Sequence, residues 1–282
     1  MRIGVTAFLT DRSLSPTRFA AAVEERGFHS IYLPEHTHLP VDEAEPPALV
    51  EGVTSGDYRR SLDPLVALAA AASVTSRIHL GTGVCLVAQH DPVVLAKQIA
   101  TLDQLSGGRF VLGVGYGWNR REAADHGVDF TQRRQVAREK LKCMQALWSD
   151  ERAEFHGRFV ELGPCYSWPK PHQQPRVRTL IGAAAGPSTF AAVAELADGW
   201  MPIGGAGVAA AMEELRKAVT QRGRSPDDVD VVTFGTVPDE AKLAYYRDCA
   251  VSEVVLRIPA GDESAMLGVL DDYTRFLAFT EA

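Results

Sequence analysis

The chain alternates short apolar runs with longer amphipathic segments from its first residues to its last. The first apolar run is Arg2–Phe8, and the first amphipathic segment is Pro16–Arg26, which Gly27 ends. Eight such pairs follow one another. Because the runs are largely apolar rather than alternating, they predict parallel strands that are buried on both faces. The pattern predicts a (β/α)8 TIM barrel. A doubly wound open sheet is the alternative, since periodicity alone cannot close a barrel.

Seven further strands and seven further helices complete this prediction. The strands are His29–Leu33, Ile78–Val87, Phe110–Val114, Thr179–Ile181, Gly199–Ile203, Val229–Phe234 and Glu253–Ile258. The helices are Asp63–Ser73, Pro92–Leu105, Gln132–Trp148, Pro187–Ala197, Val208–Arg222, Asp239–Cys249 and Ala265–Phe279.

Two segments interrupt the alternation. Glu35–Leu62 follows the second predicted strand and is far longer than the usual strand-to-helix loop of about 2–6 residues. Because it follows a strand it lies at the carboxyl face, where we expect a lid or binding loop, with a disordered excursion as the alternative. The second segment, Asp150–Arg178, joins an alternating stretch to a proline-rich run and predicts a small hairpin before the fifth strand.

Composition narrows the class of protein. The 282 residues suit one barrel domain over 1–282 with an ordinary hydrophobic content of 46%. A net charge of -7 argues against binding duplex DNA or an anionic membrane, because both need a basic face. No apolar stretch reaches the roughly 20 residues that span a bilayer. We interpret the arginine pairs Arg59–Arg60, Arg120–Arg121 and Arg133–Arg134 as solvated surface pairs. The widely spaced Cys85, Cys143, Cys165 and Cys249 indicate reduced thiols and a cytoplasmic protein.

The carboxyl ends of the strands are where a parallel barrel carries its active site. His36 closes the second predicted strand, and an imidazole there can give or take a proton near neutral pH. A His satisfied by a loop carbonyl is the alternative. His36 and His38 beside Glu35 also resemble a metal pair. The ends of the fifth and sixth strands offer only Gly, Ala, Met and Pro, so no metal site is predicted.

Two glycine-rich segments follow later strands. Gly182–Pro187 is small and apolar and precedes a helix, so its backbone N–H groups and the helix dipole favour a phosphate. A tight packing turn is the alternative. Gly113–Gly117 is not the dinucleotide fingerprint, because its spacing is wrong and it comes fourth in the series. Tyr116 and Trp118 beside it suit a flat aromatic ligand, with core packing as an equal alternative.

Four of these segments together resemble a known family. They are IYLPEH, LGTGVCLVAQHDPVVLAKQIATLDQLSGGRF, VLGVGYGWNRRE, and IGAAAGP followed by ADGW. They are similar to the bacterial luciferase-like monooxygenase superfamily, and within it to the short flavin- or deazaflavin-dependent oxidoreductases of actinobacteria. The resemblance runs from Met1 to about Gly204.

The resemblance implies a barrel that binds coenzyme F-420, an 8-hydroxy-5-deazaflavin, or FMN at its carboxyl face. His36 matches a His that faces the deazaflavin ring in F-420-dependent sugar-phosphate dehydrogenases. Tyr116 stands where those enzymes carry a proton-donating Glu, so the sugar-phosphate reaction itself is not implied. A phenol with an ordinary pKa near 10 is a weak acid at neutral pH. His36 and Tyr116 are the expected catalytic residues.

The same resemblance implies the cofactor contacts. The backbone of Ala184, Ala185 and Gly186 would hold the phosphate, with Asn119 on the polar side of the cofactor. A non-proline cis peptide is expected within Gly83–Leu86, against the ring. The full expected set is Glu35, Gly83, Val84, Cys85, Trp118, Asn119, Gly182, Ala183, Ala184, Ala185 and Gly186.

The implied chemistry follows the cofactor. With F-420 the reaction is hydride transfer to or from a small organic substrate, and the protein supplies binding, orientation and a proton. With FMN, the reduced flavin could activate oxygen, and a separate reductase would be needed. The short chain and IYLPEH favour F-420. The substrate pocket would include Glu35–Leu62 and the loops after the last two strands. A homodimer is implied as well.

Overall fold

The computed structural model describes residues 1–41, 55–205 and 207–280. Within them lie ten strands: β1 (Arg2–Thr6), β2 (Ser30–Leu33), β3 (His79–Thr82), β4 (Phe110–Val114), β5 (Ala153–His156), β6 (Glu161–Cys165), β7 (Thr179–Ile181), β8 (Gly199–Trp200), β9 (Asp230–Thr236) and β10 (Glu253–Arg257). The helices are α1 (Pro16–Glu25), α2 (Ser55–Arg60), α3 (Pro64–Ala72), α4 (Pro92–Ser106), α5 (Arg120–Asp125), α6 (Arg133–Ser149), α7 (Pro187–Leu196), α8 (Val208–Gln221), α9 (Glu240–Asp248) and α10 (Glu263–Tyr273).

Eight of the strands close into a parallel barrel in the order β1-β10-β9-β8-β7-β4-β3-β2. Strand β1 joins both edges, pairing with β10 on one side and β2 on the other. The predicted (β/α)8 barrel is confirmed, and the open-sheet alternative is wrong. The order matters for the site because it sets which strand ends face each other across the mouth.

Capping residues begin and end the helices where the sequence marks them. Asp91 accepts hydrogen bonds from the N–H groups of Val93 and Val94 at the start of α4, and Gly107 ends that helix in the left-handed conformation. Asp63 caps α3 in the same way, followed by a proline at the first helical position. Local chemistry therefore fixes these boundaries.

The predicted strands differ most from the observed ones at their carboxyl ends. The third was predicted to reach Val87, but β3 ends at Thr82, and Val87–Gln89 forms a 3-10 turn. Val87 and Ala88 stay buried in that turn, so the apolar run in the sequence continues beyond the end of the strand. The sixth was predicted to reach Ile203, but β8 ends at Trp200, just before Pro202, which has no N–H to donate.

Both predicted interruptions lie where expected. Strands β5 and β6 form an antiparallel hairpin in which Phe155 faces Leu162, as the alternation predicted. The segment Glu35–Leu62 also holds α2, a helix of 6 residues that is too short to show a period. Residues 42–54 of this predicted lid lie outside the described residues.

The barrel interior is filled by one apolar layer between two polar ends. Its members are Tyr32, Val111, Leu180, Met201, Val232 and Val255. Side chains alternate along a strand, so residues two positions further along each strand also point toward the axis and form the mouth. Among the described residues, none of the helices has the length and apolarity needed to cross a membrane. All four cysteines are unpaired.

Candidate active site

A cavity of about 420 Å³ opens at the carboxyl ends of the barrel strands. Its size lies within the usual range of about 300–1,000 Å³ for small-molecule sites. All eight barrel strands or the turns after them contribute to its wall. The lining residues are Thr6, Ala7, Phe8, Pro34, Glu35, His36, Tyr58, Gly83, Val84, Leu86, Gly115, Tyr116, Gly117, Trp118, Arg133, Arg134, Gly182, Ala183, Ala184, Ile203, Phe234, Gly235 and Arg257.

His36 is held in this wall by a buried carboxylate. Its Nδ1 lies 2.9 Å and 3.1 Å from the two carboxylate oxygens of Glu122, and the two side chains are 6% and 0% exposed. The N–H of Thr37 also donates to Glu122, at 3.3 Å. Asn119 caps α5 by accepting from the N–H of Glu122 at 2.9 Å. The short helix α5 therefore delivers Glu122 to the back of the imidazole.

This environment fixes the tautomer of His36. A carboxylate can only accept, so Nδ1 carries the proton that faces Glu122. The indole N–H of Trp118 donates to Nε2 at 3.3 Å, which requires a lone pair on Nε2. His36 is thus a neutral imidazole whose basic nitrogen lies on the side of Trp118. A substrate hydroxyl that displaces the Trp118 N–H from Nε2 can give its proton to that nitrogen.

Aromatic rings surround His36. The ring centroid of Tyr58 lies 4.9 Å from that of His36, and the centroid of Trp118 lies 5.5 Å away. Tyr58 also packs against Phe8 at 4.7 Å. Burial raises the pKa of Tyr58 to about 12, so this phenol keeps its proton at neutral pH. Water has little access to this part of the cavity, and an apolar ligand body is well matched to it.

Glycines shape the opposite wall around Val84. A Cβ on Gly115 would lie 2.1 Å from Val84 Cγ2, and one on Gly182 would lie 2.5 Å from Val84 Cγ1. Gly83 similarly leaves room for the ring of Phe234, 2.4 Å from where its Cβ would be. The peptide bond between Gly83 and Val84 is cis, within the range that the sequence resemblance indicated. These glycines let three neighbouring strands converge on one valine and leave a smooth surface.

Glu35 belongs to the wall, but its carboxylate is turned away into a second network. Its oxygens accept from the Leu86 N–H and from His90 Nε2, the latter at 2.7 Å. Burial alone would raise the pKa of Glu35, but the hydrogen bond and charge of His90 lower it overall. Cys85 hydrogen-bonds to the same carboxylate from a fully buried position, and burial raises the pKa of its thiol. The network ties the turn after β3 to the end of β2.

Tyr116 lies on the other side of the cavity, beneath a guanidinium. The Arg134 guanidinium stacks 4.7 Å from the centre of the Tyr116 ring, and Arg134 Nη1 donates to Ser188 Oγ at 3.0 Å. Burial raises the pKa of Tyr116, which makes it a poor acid. Arg133 stacks at 3.7 Å on Phe130. Both arginines line the cavity. The interpretation as a solvated pair holds for Arg134, which is exposed, but not for the half-buried Arg133. The start of α6 places both at the rim of the site.

The predicted phosphate segment lies beside these arginines, at the start of α7. Gly182, Ala183 and Ala184 line the cavity, whereas Ala185 and Gly186 lie beyond its lining residues. No side chain caps this helix, and Pro187 stands at its first position. The first backbone N–H groups are therefore free of side-chain acceptors. Trp200 donates to the Ala183 carbonyl at 2.8 Å and so fixes the turn behind.

The structure brings together most of the residues that the sequence predicts. His36, Tyr116, Glu35, Gly83, Val84, Trp118, Gly182, Ala183 and Ala184 share one cavity. Cys85 and Asn119 are buried behind its wall rather than in it, because each is used by a local network. Sequence reasoning missed Glu122, Tyr58, Phe234, Arg133, Arg134 and Arg257. The sequence does mark Glu122. It stands three residues after Asn119, and an Asn followed by a Glu at that spacing is typical of a helix start.

Comparisons with known proteins agree with this barrel. The family model for luciferase-like monooxygenases matches residues 15–241. An uncharacterized protein of Mycobacterium tuberculosis is 41% identical over 268 residues, which is 94% of each chain. The F-420-dependent glucose-6-phosphate dehydrogenase of Kineococcus radiotolerans is 30% identical over 240 residues, covering 82% of this chain and 64% of that protein. The chain belongs to the luciferase-like monooxygenase family.

Solved structures share the fold. A monooxygenase from Streptomyces bottropensis superposes with a TM-score of 0.78 at 21% identity and 99% coverage of both chains. An F-420-dependent secondary alcohol dehydrogenase, solved with an F-420–acetone adduct, superposes with a TM-score of 0.77 at 15% identity, covering 100% of this chain and 99% of that one. At these identities the likeness concerns the barrel alone.

Proposed function

We propose that this protein is an oxidoreductase that uses coenzyme F-420 to move a hydride to or from a small organic substrate at the mouth of the barrel. One observation carries the proposal. A neutral His36, held by buried Glu122, lies in an aromatic cavity at the carboxyl face and offers its basic Nε2 toward Trp118. The F-420-dependent relatives of this chain support the choice of cofactor.

The cavity suits a flat, anionic cofactor. The Val84 side chain, unobstructed by Gly115 and Gly182, offers an apolar surface for a planar ring. The uncapped start of α7 and the Arg134 guanidinium offer positive charge for a phosphate. We propose that Gly182, Ala183, Ala184, Ala185 and Gly186 hold that phosphate. Glu35, Cys85 and Asn119 would act by holding the wall in place.

When bound, F-420 supplies two-electron hydride chemistry and not single-electron steps. The chain supplies the proton. In the oxidising direction, His36 Nε2 takes the proton from a substrate hydroxyl, and Glu122 stabilises the resulting imidazolium through Nδ1. In the reducing direction His36 returns that proton to the oxygen. The Trp118 N–H donates to His36 Nε2 in the free protein and to the substrate oxygen when that oxygen lies beside it. Tyr116, with its raised pKa, orients ligands better than it donates a proton.

A paired titration tests the cofactor. Purified protein is heated with F-420 and, separately, with FMN. A ligand that binds only the native state adds RT ln(1 + [L]/Kd), about 2.7 kcal/mol at a hundredfold excess over Kd. We expect F-420 alone to raise the Tm. A Gly186→Asp variant, which places a carboxylate at the start of α7, should lose most of that rise.

The opposite result has a clear meaning. A rise with FMN alone would overturn the F-420 assignment and favour a flavin monooxygenase that works with a separate reductase. A rise with F-420 that Gly186→Asp leaves intact would place the phosphate elsewhere in the cavity. Loss of the absorbance of oxidised F-420 on addition of alcohol substrates then measures hydride transfer directly.

We also propose that the protein forms a homodimer through helices α3 and α4. Helix α3 is apolar on all sides, and Val66 on its outer face is 71% exposed. Val94 and Leu105 on α4 are 55% and 66% exposed. Light scattering on a size-exclusion column should give the mass of two chains, and a Val66→Lys, Val94→Lys double variant should give one. A wild-type mass of one chain would overturn the proposal.

A further inference from the structure

In the described part of the chain, three arginines line the cavity, and one of them has no side-chain partner there. Arg133 Nη1 donates to the Phe130 carbonyl at 2.7 Å, and Arg134 is engaged by Ser188 and the Tyr116 ring. Among the described residues, the Arg257 guanidinium makes neither an ion pair nor a hydrogen bond, whereas its backbone carbonyl accepts from the Tyr273 hydroxyl at 3.2 Å. A guanidinium at a cavity wall without a protein partner is available to an anionic ligand.

The fold points this side chain at the site. Glu253, Val255 and Arg257 share one face of β10, and Val255 belongs to the apolar layer inside the barrel. Arg257 is therefore the next step toward the mouth, and its backbone is paired with Thr6 of β1. Both residues line the cavity. The barrel holds the base of this side chain in place.

Strand order separates Arg257 from the proposed cofactor phosphate. Around the barrel, β10 is three strands from β7, whose following turn leads into α7, and only two strands from β2, which carries His36. Arg257 thus lies on the His36 side of the mouth, with Arg133 and Arg134 across from it near the start of α7. One cationic end of the cavity is assigned to the cofactor, and the other remains for the substrate.

Among the described residues, the cavity offers no anion to Arg257. Glu35 is the single carboxylate in the described part of its lining, and both of its oxygens are used by Leu86 and His90. The chain as a whole carries a net charge of -7, so a cationic cavity contrasts with its surroundings. Phe8 and Phe234 add apolar surface on the same side. The ligand that fits is an apolar body with an anionic end.

We propose that Arg257 is the specificity-determining residue that binds an anionic group of the substrate, a carboxylate or a phosphate monoester, while the reacting carbon lies near His36. This inference rests on the proposed function, because it assigns the second end of the same cavity. The substrate is then an alcohol or carbonyl compound with an apolar chain and one acidic end. A bidentate guanidinium suits both anions.

The test compares three probes of one chain length on protein saturated with F-420: hexanoate, hexyl phosphate and the neutral hexanamide. Calorimetric titration should show that one of the two anions binds at least tenfold more tightly than hexanamide. Whichever anion binds better identifies the acidic group. Arg257→Met should remove that preference, and Arg257→Lys should keep most of it. Equal binding of all three probes, or a preference unchanged in Arg257→Met, overturns the proposal.

Two controls keep this result separate from the cofactor assignment. The Kd for F-420 is measured in the wild type and in Arg257→Met, and the Tm of each variant shows that it is folded. Unchanged F-420 binding with lost anion preference supports the proposal. If Arg257→Met instead weakens F-420 and not the anion, Arg257 belongs to the cofactor site, and the substrate assignment is wrong. If wild-type protein does not bind F-420, the proposed function fails, and the same three probes on unloaded protein still test Arg257.

Discussion

The two ends of the barrel hold cavities of nearly equal size, about 420 Å³ at the carboxyl end and about 450 Å³ at the amino end. Their chemistry differs. At the carboxyl end, His36 Nε2 accepts from Trp118 in the cavity wall, and the Arg257 guanidinium has no partner among the described residues. At the amino end, Glu24 already accepts from the N–H groups of Ser76, Arg77 and Ile78. Volume alone would not choose between the two cavities.

Several polar groups inside the amino end bind one another, although His29 Nε2, His79 Nδ1 and Glu253 Oε2 have no hydrogen-bond partner among the described residues. Asp230 accepts from Arg2 at 2.9 Å and also from Arg178. Ser30 donates to Glu253, and the rings of His29 and His79 stack 4.5 Å apart. Polar groups that satisfy each other stabilise a fold, whereas polar groups that face a cavity are available to a ligand. In a barrel of this type the amino end serves stability and the carboxyl end serves chemistry.

The largest expected effect lies at the carboxyl end. His36→Ala removes the proposed proton acceptor, and we expect the rate of hydride transfer to fall by at least about 100-fold. Binding of F-420 should change little, whereas the free energy of unfolding should fall, because the buried Glu122 carboxylate loses its Nδ1 donor. Stopped-flow absorbance of F-420 measures the rate, and a thermal melt checks the fold. Intact hydride transfer with normal cofactor binding would show that His36 has no catalytic role.

The next largest effect is a loss of stability at the amino end that leaves cofactor binding at the carboxyl end unchanged. Asp230→Ala leaves Arg2 and Arg178 without their shared carboxylate, and we expect a loss of about 2–3 kcal/mol in the free energy of unfolding. The Kd for F-420 should stay within twofold of wild type. Urea denaturation measures the stability. A variant as stable as wild type, or one that is folded but no longer binds the cofactor, would contradict the assignment of stability to the amino end and ligand binding to the carboxyl end.

A smaller effect should follow when Glu122 keeps its shape and loses its charge. In Glu122→Gln the amide oxygen still accepts from Nδ1 but no longer stabilises an imidazolium, so we expect kcat to fall about tenfold with KM unchanged. Asp125→Asn is the matched control, because Asp125 holds the exposed His38 at 3.2 Å in the same short helix. If both variants lose activity equally, the effect comes from α5 as a whole and not from the His36 contact.

The smallest effect concerns acid sensitivity at the amino end. Burial, helped by neighbouring positive charge, lowers the pKa of His29 and of His79 to about 4, against about 6.5 in the unfolded chain. The native state therefore binds fewer protons, and stability is full above pH 6.5 and declines as the pH falls from 6.5 toward 4. Each ring is partly screened by solvent, so we expect about 1 kcal/mol between pH 7 and pH 5.

Replacing one of these rings should flatten that decline. His79→Gln removes one titrating group, so the Tm should fall less between pH 7 and pH 5 than in the wild type. The exposed His172 provides the control, because His172→Gln should leave the slope as it is. A slope that His79→Gln does not change would show that the stacked pair does not set acid sensitivity.

The sequence by itself determined the barrel and the residues at which several helices begin and end. Asp63 and Asp91 cap helices through bonds to residues two or three positions away, and Gly107 ends a helix through its own backbone. Strand β4 was predicted with its observed bounds, because a buried parallel strand is apolar throughout. His36 and the glycine segments were found because strand ends meet at one face of any such barrel. These are local or topological consequences that do not need side-chain positions.

Only the tertiary structure decided how the site is used. Glu122 lies 86 residues from His36, and no periodicity links a short helix to a distant imidazole. Arg133 and Arg134 were predicted only as a surface pair, and the start of α6 also places both at the cavity. Glu35 is adjacent to His36 in the sequence but binds His90, a contact that neighbouring positions in a chain do not predict. Contacts between distant segments depend on how strands are ordered around the barrel, and that order arises only when the whole chain packs.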